Sequence, residues 1–314
     1  MIEVAIMLEG QMGLNWVRLE RIARAVEALG FVGLYRSDHF TNPNPPDEDS
    51  LELWLSLGWL ASHTERIEFG PLVSPVSFRD PAMTARMAIQ VDNLSNGRLT
   101  LGVGAGWQER EHESFGYDLL GVTERLDRFE EGLEVITRLL RNDEPSSYEG
   151  EYYHLKEALL MPRPEQGGRP PILIGGNGPQ RTLPLVARYA DEWNAVFLTP
   201  QRFRETSARL DELLEEQGRQ PGAVRRSLMT GLVFGRDKEE VRSRVEKRSP
   251  GRTPDELREH SLVVGTVDQI VEQLGRLAEA GVQRVMLQWL DLDDLDGLET
   301  MAQGVLPQIA TTDD

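Results

Sequence analysis

The chain alternates between strand-like and helix-like segments from one end to the other, and this alternation constrains its fold more than any other feature. Short apolar runs such as Val4–Leu8 are followed by stretches such as Trp16–Leu29, in which apolar residues recur at three- and four-residue spacing. Eight such units can be counted, with strands predicted at 4–8, 32–35, 67–73, 98–103, 172–174, 192–197, 228–234 and 282–288. Because eight units close a parallel barrel, the sequence predicts an α/β fold of the (β/α)8, or TIM-barrel, class.

The length of the chain fits a single barrel. We predict one domain over residues 1–314, with insertions near 142–170 and 236–262. The first insertion contains Tyr148–Tyr153, which predicts a small hairpin, and the second is strongly charged; connections this long are usually lids or disordered segments. An open doubly wound sheet is the alternative, but it requires a glycine fingerprint after the first strand, where the pattern is absent.

Charge and composition exclude several classes of function. The 34 basic and 52 acidic residues give a net charge of −18, which argues against nucleic acid or an anionic membrane as a partner. The absence of cysteine excludes disulfides, Fe–S clusters and a cysteine nucleophile, and the five histidines lack metal-site spacing, so no metal is predicted. Since no apolar run reaches about 18 residues and the first residues are strand-like, we expect a cytoplasmic protein without a signal peptide.

A glycine-rich turn follows the fifth predicted strand. The buried run Ile172–Ile174 ends in Gly175-Gly176-Asn177-Gly178, and a helical pattern begins a few residues later. Glycines allow an anion to approach the backbone closely, and the free N–H groups at a helix start point toward it, so the turn predicts a phosphate site. The alternative is an ordinary glycine-rich turn that binds nothing.

Other residues that follow the strands complete a candidate site, because the active sites of such barrels lie where the strands end. His39, after the second strand, is the candidate acid or base, although a histidine here can also serve only to satisfy backbone groups. Gly102, Gly104 and Gly106 either line a ligand or relieve crowding, and Trp107 packs on a ring or on the rim. The combination predicts a flat aromatic cofactor with a phosphate tail.

Several motifs, taken in order, resemble a known family. They are Ser37-Asp38-His39, Leu94–Trp107 with Glu111 behind it, Arg125 with Glu131, Ile174–Gly178 and Arg188–Asn194. In order and spacing they are similar to the bacterial luciferase-like flavin-dependent oxidoreductases, and within these to the branch that uses the deazaflavin coenzyme F420. The resemblance covers nearly the whole chain and implies a TIM barrel with insertions, in agreement with the count of strand–helix units.

The resemblance also implies roles for individual residues. His39 would lie at the reactive face of the cofactor, and Gly175 and Gly176 would bind its phosphate. A non-prolyl cis peptide behind the central ring would fall near Pro71-Leu72. Family members often form dimers, so a homodimer is expected. The residues expected at the cofactor are Asp38, Pro71, Leu72, Ser74, Gly106, Trp107, Gly175, Gly176, Asn177, Gly178 and Arg181.

One departure limits what the resemblance implies. Sugar-phosphate dehydrogenases of this branch have a catalytic glutamate directly after the G-x-G-x-G run, whereas this chain has Trp107 there. A mechanism that uses that glutamate is therefore not expected, and a sugar-phosphate substrate is disfavoured.

The function that these observations imply is hydride transfer between F420 and a small organic substrate. Two alternatives stay open, an FMN-dependent monooxygenase on the same fold and a non-catalytic flavin-binding protein. Because F420 carries an oligoglutamate tail and the protein is at −18, binding requires local arginines, for which the candidates are Arg79, Arg163, Arg169 and Arg181.

Overall fold

The computed structural model describes residues 2–163 and 168–309. Within these residues twelve strands form a main sheet of ten strands and a separate hairpin. Numbered in chain order, the strands are β1 (Glu3–Leu8), β2 (Gly33–Arg36), β3 (Glu68–Pro71), β4 (Ser74–Pro75), β5 (Leu101–Gly104), β6 (Ser146–Glu149), β7 (His154–Ala158), β8 (Ile172–Gly175), β9 (Glu192–Val196), β10 (Arg225–Phe234), β11 (Val263–Gly265) and β12 (Arg284–Gln288).

Helices follow the strands of the main sheet and cover its outer face. Eight of them belong to the repeating units and three lie in longer connections. They are α1 (Trp16–Leu29), α2 (Leu53–His63), α3 (Pro81–Leu94), α4 (Glu109–Phe115), α5 (Val122–Arg141), α6 (Thr182–Tyr189), α7 (Pro200–Glu216), α8 (Lys238–Arg248), α9 (Pro254–Glu259), α10 (Val267–Glu279) and α11 (Leu295–Ile309). None of these helices is both long and apolar enough to cross a membrane.

The parallel strands close on themselves, which confirms the predicted barrel. The order of the strands is β3-β2-β1-β12-β10-β9-β8-β5-β4, and Ala5 of β1 lies opposite Gly33 of β2. β3 and β4 are the two halves of the third barrel strand, interrupted at Leu72-Val73. The N–H of Phe69 in the first half donates to the carbonyl of Arg98, just before β5, at 3.1 Å, so the third strand joins the two edges.

Local signals in the sequence explain where helices begin and end. The side chain of Asn15 accepts a hydrogen bond from the N–H of Arg18 and so caps α1, and Gly30 ends this helix with a φ of 92°. β2 and β5 are buried along their whole length, as expected for parallel strands that are covered by helices.

The two insertions have regular structure. β6 and β7 form the antiparallel hairpin predicted around Tyr148–Tyr153. The charged stretch 236–262 holds α8 and α9, and β11 follows it and pairs with the last three residues of β10. Within 236–262, Val241, Val245 and Leu257 bury a small core of their own, so this connection is folded.

An ionic cluster fills the end of the barrel where the strands begin. Arg284, which is fully buried, lies 2.8 Å from the carboxylates of Glu3 and Glu68 and 3.7 Å from that of Glu192. It also donates to the hydroxyl of Tyr35 at 2.7 Å. Burial raises the pKa of Glu192, and the charge of Arg284 opposes this rise. We call these five residues the basal cluster.

Candidate active site

A cavity of about 700 Å³ opens at the other end of the barrel, where the strands finish. Its volume lies in the range of small-molecule and cofactor sites, about 300–1,000 Å³. Every strand position of the barrel contributes to its lining, from Met7 in β1 to Gln288 in β12. Seven of the twelve residues predicted for the site line this cavity, namely Asp38, His39, Leu72, Gly106, Trp107, Gly175 and Gly176.

His39 is held by a buried carboxylate. Its Nδ1 lies 2.7 Å from Oε1 of Glu111, which is 1% exposed, and the other oxygen of Glu111 accepts the N–H of Phe40 at 2.8 Å. Because an ionised carboxylate only accepts hydrogen bonds, Nδ1 carries a proton and Nε2 is the nitrogen left for the cavity. Trp107 packs edge-on against the imidazole, with the ring centroids 5.5 Å apart.

The surroundings of His39 favour its protonated form. Burial alone would lower its pKa, but the hydrogen bond and charge of Glu111, with smaller contributions from Glu9 and Asp38, raise the pKa above the ordinary value of 6.5. A proton is therefore available on this imidazole near neutral pH. The alternative interpretation, in which His39 only satisfies backbone groups, does not explain why one of its ring nitrogens is left at the cavity.

Asp38 and Ser74 form a supporting layer beside the cavity. Asp38 accepts the hydroxyl of Ser74 at 3.0 Å and is paired with the guanidinium of Arg79, which also lies 2.6 Å from Glu52. Burial raises the pKa of Asp38, and the neighbouring Arg79 acts against this rise. Ser74 does not line the cavity, so the structure places it behind Asp38.

The break in the third strand forms one wall of the cavity. A non-prolyl cis peptide lies at Leu72-Val73, next to Pro71-Leu72, near which the resemblance implied one. A Cβ on Gly104 would lie 2.5 Å from Cγ2 of Val73, so this glycine allows the broken strand to pack on β5. Pro71 lies in β3 outside the cavity lining, and Gly106 lies inside it.

The glycine turn after β8 lies at the edge of the cavity. Gly176 has a φ of 122°, a conformation that side chains rarely adopt, and its N–H donates to the carbonyl of Asn194 at 3.0 Å. A Cβ on Gly178 would lie 2.8 Å from Oγ1 of Thr182, so Gly178 is required for packing against α6. The side-chain amide of Asn177 bonds both backbone groups of Val196, at 2.7 and 3.0 Å, and so fixes the neighbouring loop.

The arginines predicted to gather near this turn lie apart. Arg169 precedes β8 and pairs with Asp191 at 2.7 Å, and Arg163 donates to the carbonyl of Leu139 near the end of α5. The expectation that these two bind the cofactor tail is wrong, because both lie at the end of the barrel where strands begin. Arg181 lies before α6, outside the cavity lining, and forms an ion pair with Asp127 at 2.5 Å.

The cavity has features that fit a flat heterocyclic cofactor. Asn194 lies in its lining, and within the described residues its Oδ1 is a buried acceptor without a hydrogen-bond partner. A buried acceptor of this kind is normally satisfied, and an N–H group of a bound ring would do so. The Leu72-Val73 wall offers an apolar surface to the ring face, and Gly175 and Gly176 leave room at the phosphate end.

The sequence did not predict several residues of the site. Glu9, Met12, Phe197 and Gln288 line the cavity, and each comes from the end of a barrel strand or the loop that follows it. Glu9 and Met12 follow the first strand, for which no site residue was predicted, and Phe197 and Gln288 are the last residues of predicted strands rather than residues after them. Trp289, which follows the last predicted strand, is buried outside the cavity lining.

The fold and the site together define a (β/α)8-barrel protein with a ligand cavity at the ends of its strands. The chain belongs to the luciferase-like monooxygenase family, whose model matches residues 4–249.

Relatives within the family include enzymes with different names. A phthiodiolone/phenolphthiodiolone dimycocerosates ketoreductase of Mycobacterium tuberculosis is 32% identical over 206 residues, which are 64% of this chain and 52% of that protein. The match thus spans about half the length of that relative. An F420-dependent glucose-6-phosphate dehydrogenase of Kineococcus radiotolerans is 26% identical over 299 residues, or 91% of this chain and 83% of that protein.

Solved structures share the whole fold. An F420-dependent secondary alcohol dehydrogenase, in complex with an F420-acetone adduct, has a TM-score of 0.83 at 20% identity, and 99% of each chain is covered. The oxygenating constituent of 3,6-diketocamphane monooxygenase of Pseudomonas putida, in complex with FMN, has a TM-score of 0.78 at 19% identity over 98% of this chain and 99% of that one. At these identities the likeness concerns the fold.

Proposed function

We propose that the protein transfers a hydride between coenzyme F420 and a small organic substrate, with His39 as the group that gives or takes the accompanying proton. The observation that carries this proposal is the His39–Glu111 pair. Glu111 fixes the tautomer and orientation of the imidazole and leaves Nε2 at the cavity that the Leu72-Val73 wall also lines. An acid or base in this place is what a carbon–oxygen redox reaction requires.

Different residues of the chain bind the phosphate, hold the proton and exclude water. The bound deazaflavin supplies a ring carbon that accepts or donates the hydride. The turn from Gly175 to Gly178 holds the phosphate through backbone N–H groups beyond Gly176, whose own N–H is engaged by Asn194. The half-buried His39 holds the proton at Nε2, and the apolar wall excludes water from the reacting atoms.

The choice of F420 over FMN is supported by the relatives that cover most of the chain. The relative from Kineococcus radiotolerans, which matches 91% of this chain, is named an F420-dependent dehydrogenase. FMN remains the rival, since the two cofactors share a ribityl phosphate and the family includes monooxygenases.

Titration of the purified protein with each cofactor tests the proposal. We expect F420 to bind and FMN to bind more weakly, as measured by calorimetry and visible absorption. Tighter binding of FMN at all salt concentrations would refute the assignment and favour the monooxygenase.

The same titration tests the phosphate site. Replacement of Gly176 by Val places a branched side chain at a φ of 122°, 3.4 Å from the side chain of Thr182. We expect Gly176→Val to weaken both cofactors by about tenfold or more, because the anion loses its close approach to the backbone. Gly222→Val is the matched control, since Gly222 has open space around it and ordinary backbone angles. If the Gly176 variant bound both cofactors with full affinity, the phosphate would have to bind at the end of another strand.

A further inference from the structure

The mouth of the cavity is apolar and exposed. Met12, Trp107 and Phe197 are 37%, 58% and 39% exposed, and each reaches the cavity from a different loop, after β1, β5 and β9. Large apolar side chains that converge from separate loops on one open cleft form a binding surface for apolar groups. We call these three the mouth residues.

The backbone of Phe197 is held in an uncommon conformation that directs this side chain to the mouth. Its φ is 50°, in the left-handed region that bulky residues rarely adopt. The N–H of Phe197 donates to the carbonyl of Met229 at 3.0 Å, and the amide of Asn177 clamps the preceding Val196. Residues held in this way are concentrated at ligand sites.

The charge inside the cavity disfavours an anionic substrate. Glu9 lies in the lining, and its carboxylate accepts hydrogen bonds from the neutral amides of Gln11 and Gln288, at 3.0 and 2.5 Å. Within the described residues no cation lies within ion-pair distance of Glu9, whereas Asp38 and Glu111 are paired with Arg79 and His39. The cavity therefore keeps a net negative charge beside the reacting groups.

A second cavity adjoins the first and gives no net positive charge either. It has a volume of about 1080 Å³ and shares Met12, Phe197, Gln288 and Leu290 with the cofactor cavity. Its lining holds four basic residues, of which the three arginines form ion pairs, and four acidic residues: Arg18, Arg244, Lys247 and Arg248 against Glu48, Asp291, Asp293 and Asp294. The space suits an extended substrate but lacks the excess of cations that a phosphate or carboxylate would need.

From these observations we infer that the substrate is an uncharged, apolar alcohol or carbonyl compound whose carbon chain runs from His39 across the mouth residues toward the second cavity. The inference rests on the proposed hydride transfer. In the oxidising direction the carbinol C–H bond breaks and its electron pair leaves with the hydride to the bound cofactor. The hydroxyl proton passes to Nε2 of His39 as the C=O bond forms, and reduction reverses each step.

A homologous series of 2-alkanols, from 2-butanol to 2-octanol, tests the apolar contact. We expect kcat/KM of the cofactor-loaded protein to rise about three- to fourfold for each added methylene, the factor that follows from burying one CH₂ group. Phe197→Ala and Trp107→Ala should flatten this slope. Trp16→Ala is the matched control, because Trp16 is 45% exposed at the start of α1 outside both cavities, and it should keep the wild-type slope.

A matched anion tests the charge. 4-Hydroxypentanoate has the skeleton of 2-pentanol with one terminal methyl replaced by a carboxylate. We expect its kcat/KM to be at least about tenfold lower, since like charges several ångströms apart repel strongly at an effective dielectric of about 20. Glu9→Gln should narrow this difference. A slope that is flat in the wild type, or a preference for the carboxylate, would overturn the inference.

Binding separates this inference from the proposed cofactor. Calorimetry of 2-butanone through 2-octanone measures the chain-length dependence on protein loaded with whichever cofactor binds. If FMN binds and F420 does not, the proposed function fails, while a rise in affinity with chain length still supports an apolar substrate. If F420 binds but no ketone does, or affinity is independent of length, the substrate class is wrong and the cofactor assignment stands.

Discussion

The two ends of the barrel both bury charged groups, but they arrange them differently. In the basal cluster, the fully buried Arg284 is surrounded by three glutamates and a tyrosine hydroxyl. At the other end, His39 is bonded through one ring nitrogen only, and Glu9 is held by amides rather than by a cation. In the basal cluster the charged groups mainly pair with one another. At the cavity end, a ring nitrogen of His39 is left to bond a ligand.

This difference assigns stability to one end and chemistry to the other. A buried cation that loses its partners, or partners that lose their cation, are costly in a medium that cannot solvate them. The His39–Glu111 pair is half-open: His39 is 15% exposed and keeps one ring nitrogen at the cavity, while Glu111 is buried and also accepts the N–H of Phe40. Loss of the imidazole should therefore affect the reaction more than the fold. The comparison predicts that substitutions at the two ends separate into effects on turnover and effects on unfolding.

The largest effect is expected from His39→Ala. We expect turnover to fall by about 10²–10⁴-fold, the usual contribution of a general acid or base, with cofactor affinity within a few-fold of wild type. The free energy of unfolding should fall less than it does for a substitution in the basal cluster, because Glu111 loses the imidazole but still accepts the N–H of Phe40. His63→Ala, on the exposed end of α2, is the control. Steady-state kinetics with an unchanged rate would assign His39 a structural role and remove the distinction between the two ends.

The opposite outcome is expected from Arg284→Met at the basal cluster. Removal of the cation leaves Glu3, Glu68 and Glu192 without their main partner, so we expect a loss of about 3–5 kcal/mol in the free energy of unfolding. Turnover per folded molecule should be unchanged.

Denaturant unfolding measures this loss, with Arg209→Met as the control. Arg209 forms an exposed ion pair with Glu212, which should contribute about 1 kcal/mol or less. A loss as small as that of the control would mean that the basal cluster is dispensable, and a large fall in turnover would mean that the two ends are coupled.

The sequence predicted the barrel because periodicity records secondary structure directly, and eight alternations leave few topologies. It also predicted the part of the site that barrel geometry implies, since His39, Trp107 and Gly175 each lie at or just beyond the end of a parallel strand. The position of a residue relative to a strand also indicates at which end of the barrel the residue lies. Arg169 precedes β8, so the sequence alone places it at the far end of the barrel.

Partners of side chains could not be predicted in the same way. Arg181 pairs with Asp127, 54 positions earlier, because α5 and α6 pack side by side. Asn177 likewise directs its amide to Val196 rather than to the cavity, because β8 and β9 are neighbours in the barrel. The basal cluster leaves a trace in the sequence, since Glu3, Glu192 and Arg284 are first residues of strands, but only closure of the barrel brings them together.

The smallest effect on turnover is expected from Glu111→Gln. This substitution removes the negative charge beside His39 and keeps the shape of the side chain, so it tests the charge alone. In the wild type the folded-state pKa of His39 lies above its unfolded value, so the stabilisation from its protonated form is present below about pH 6.5 and is lost as pH rises through the folded pKa. Without the negative charge of Glu111, the lowering effect of burial remains and the pKa of His39 should fall.

The pH profile of alcohol oxidation, which needs neutral His39, should therefore move to lower pH, and ketone reduction above neutral pH should slow by about tenfold. NMR titration of the imidazole in the cofactor-free protein gives the pKa independently of activity, and Glu113→Gln, exposed on the same helix, is the control. A purely structural role of Glu111 would lower stability without moving the pKa. An unchanged pKa in a well-folded Glu111→Gln protein would therefore show that the half-open pair at this end, like the basal cluster, serves the fold alone.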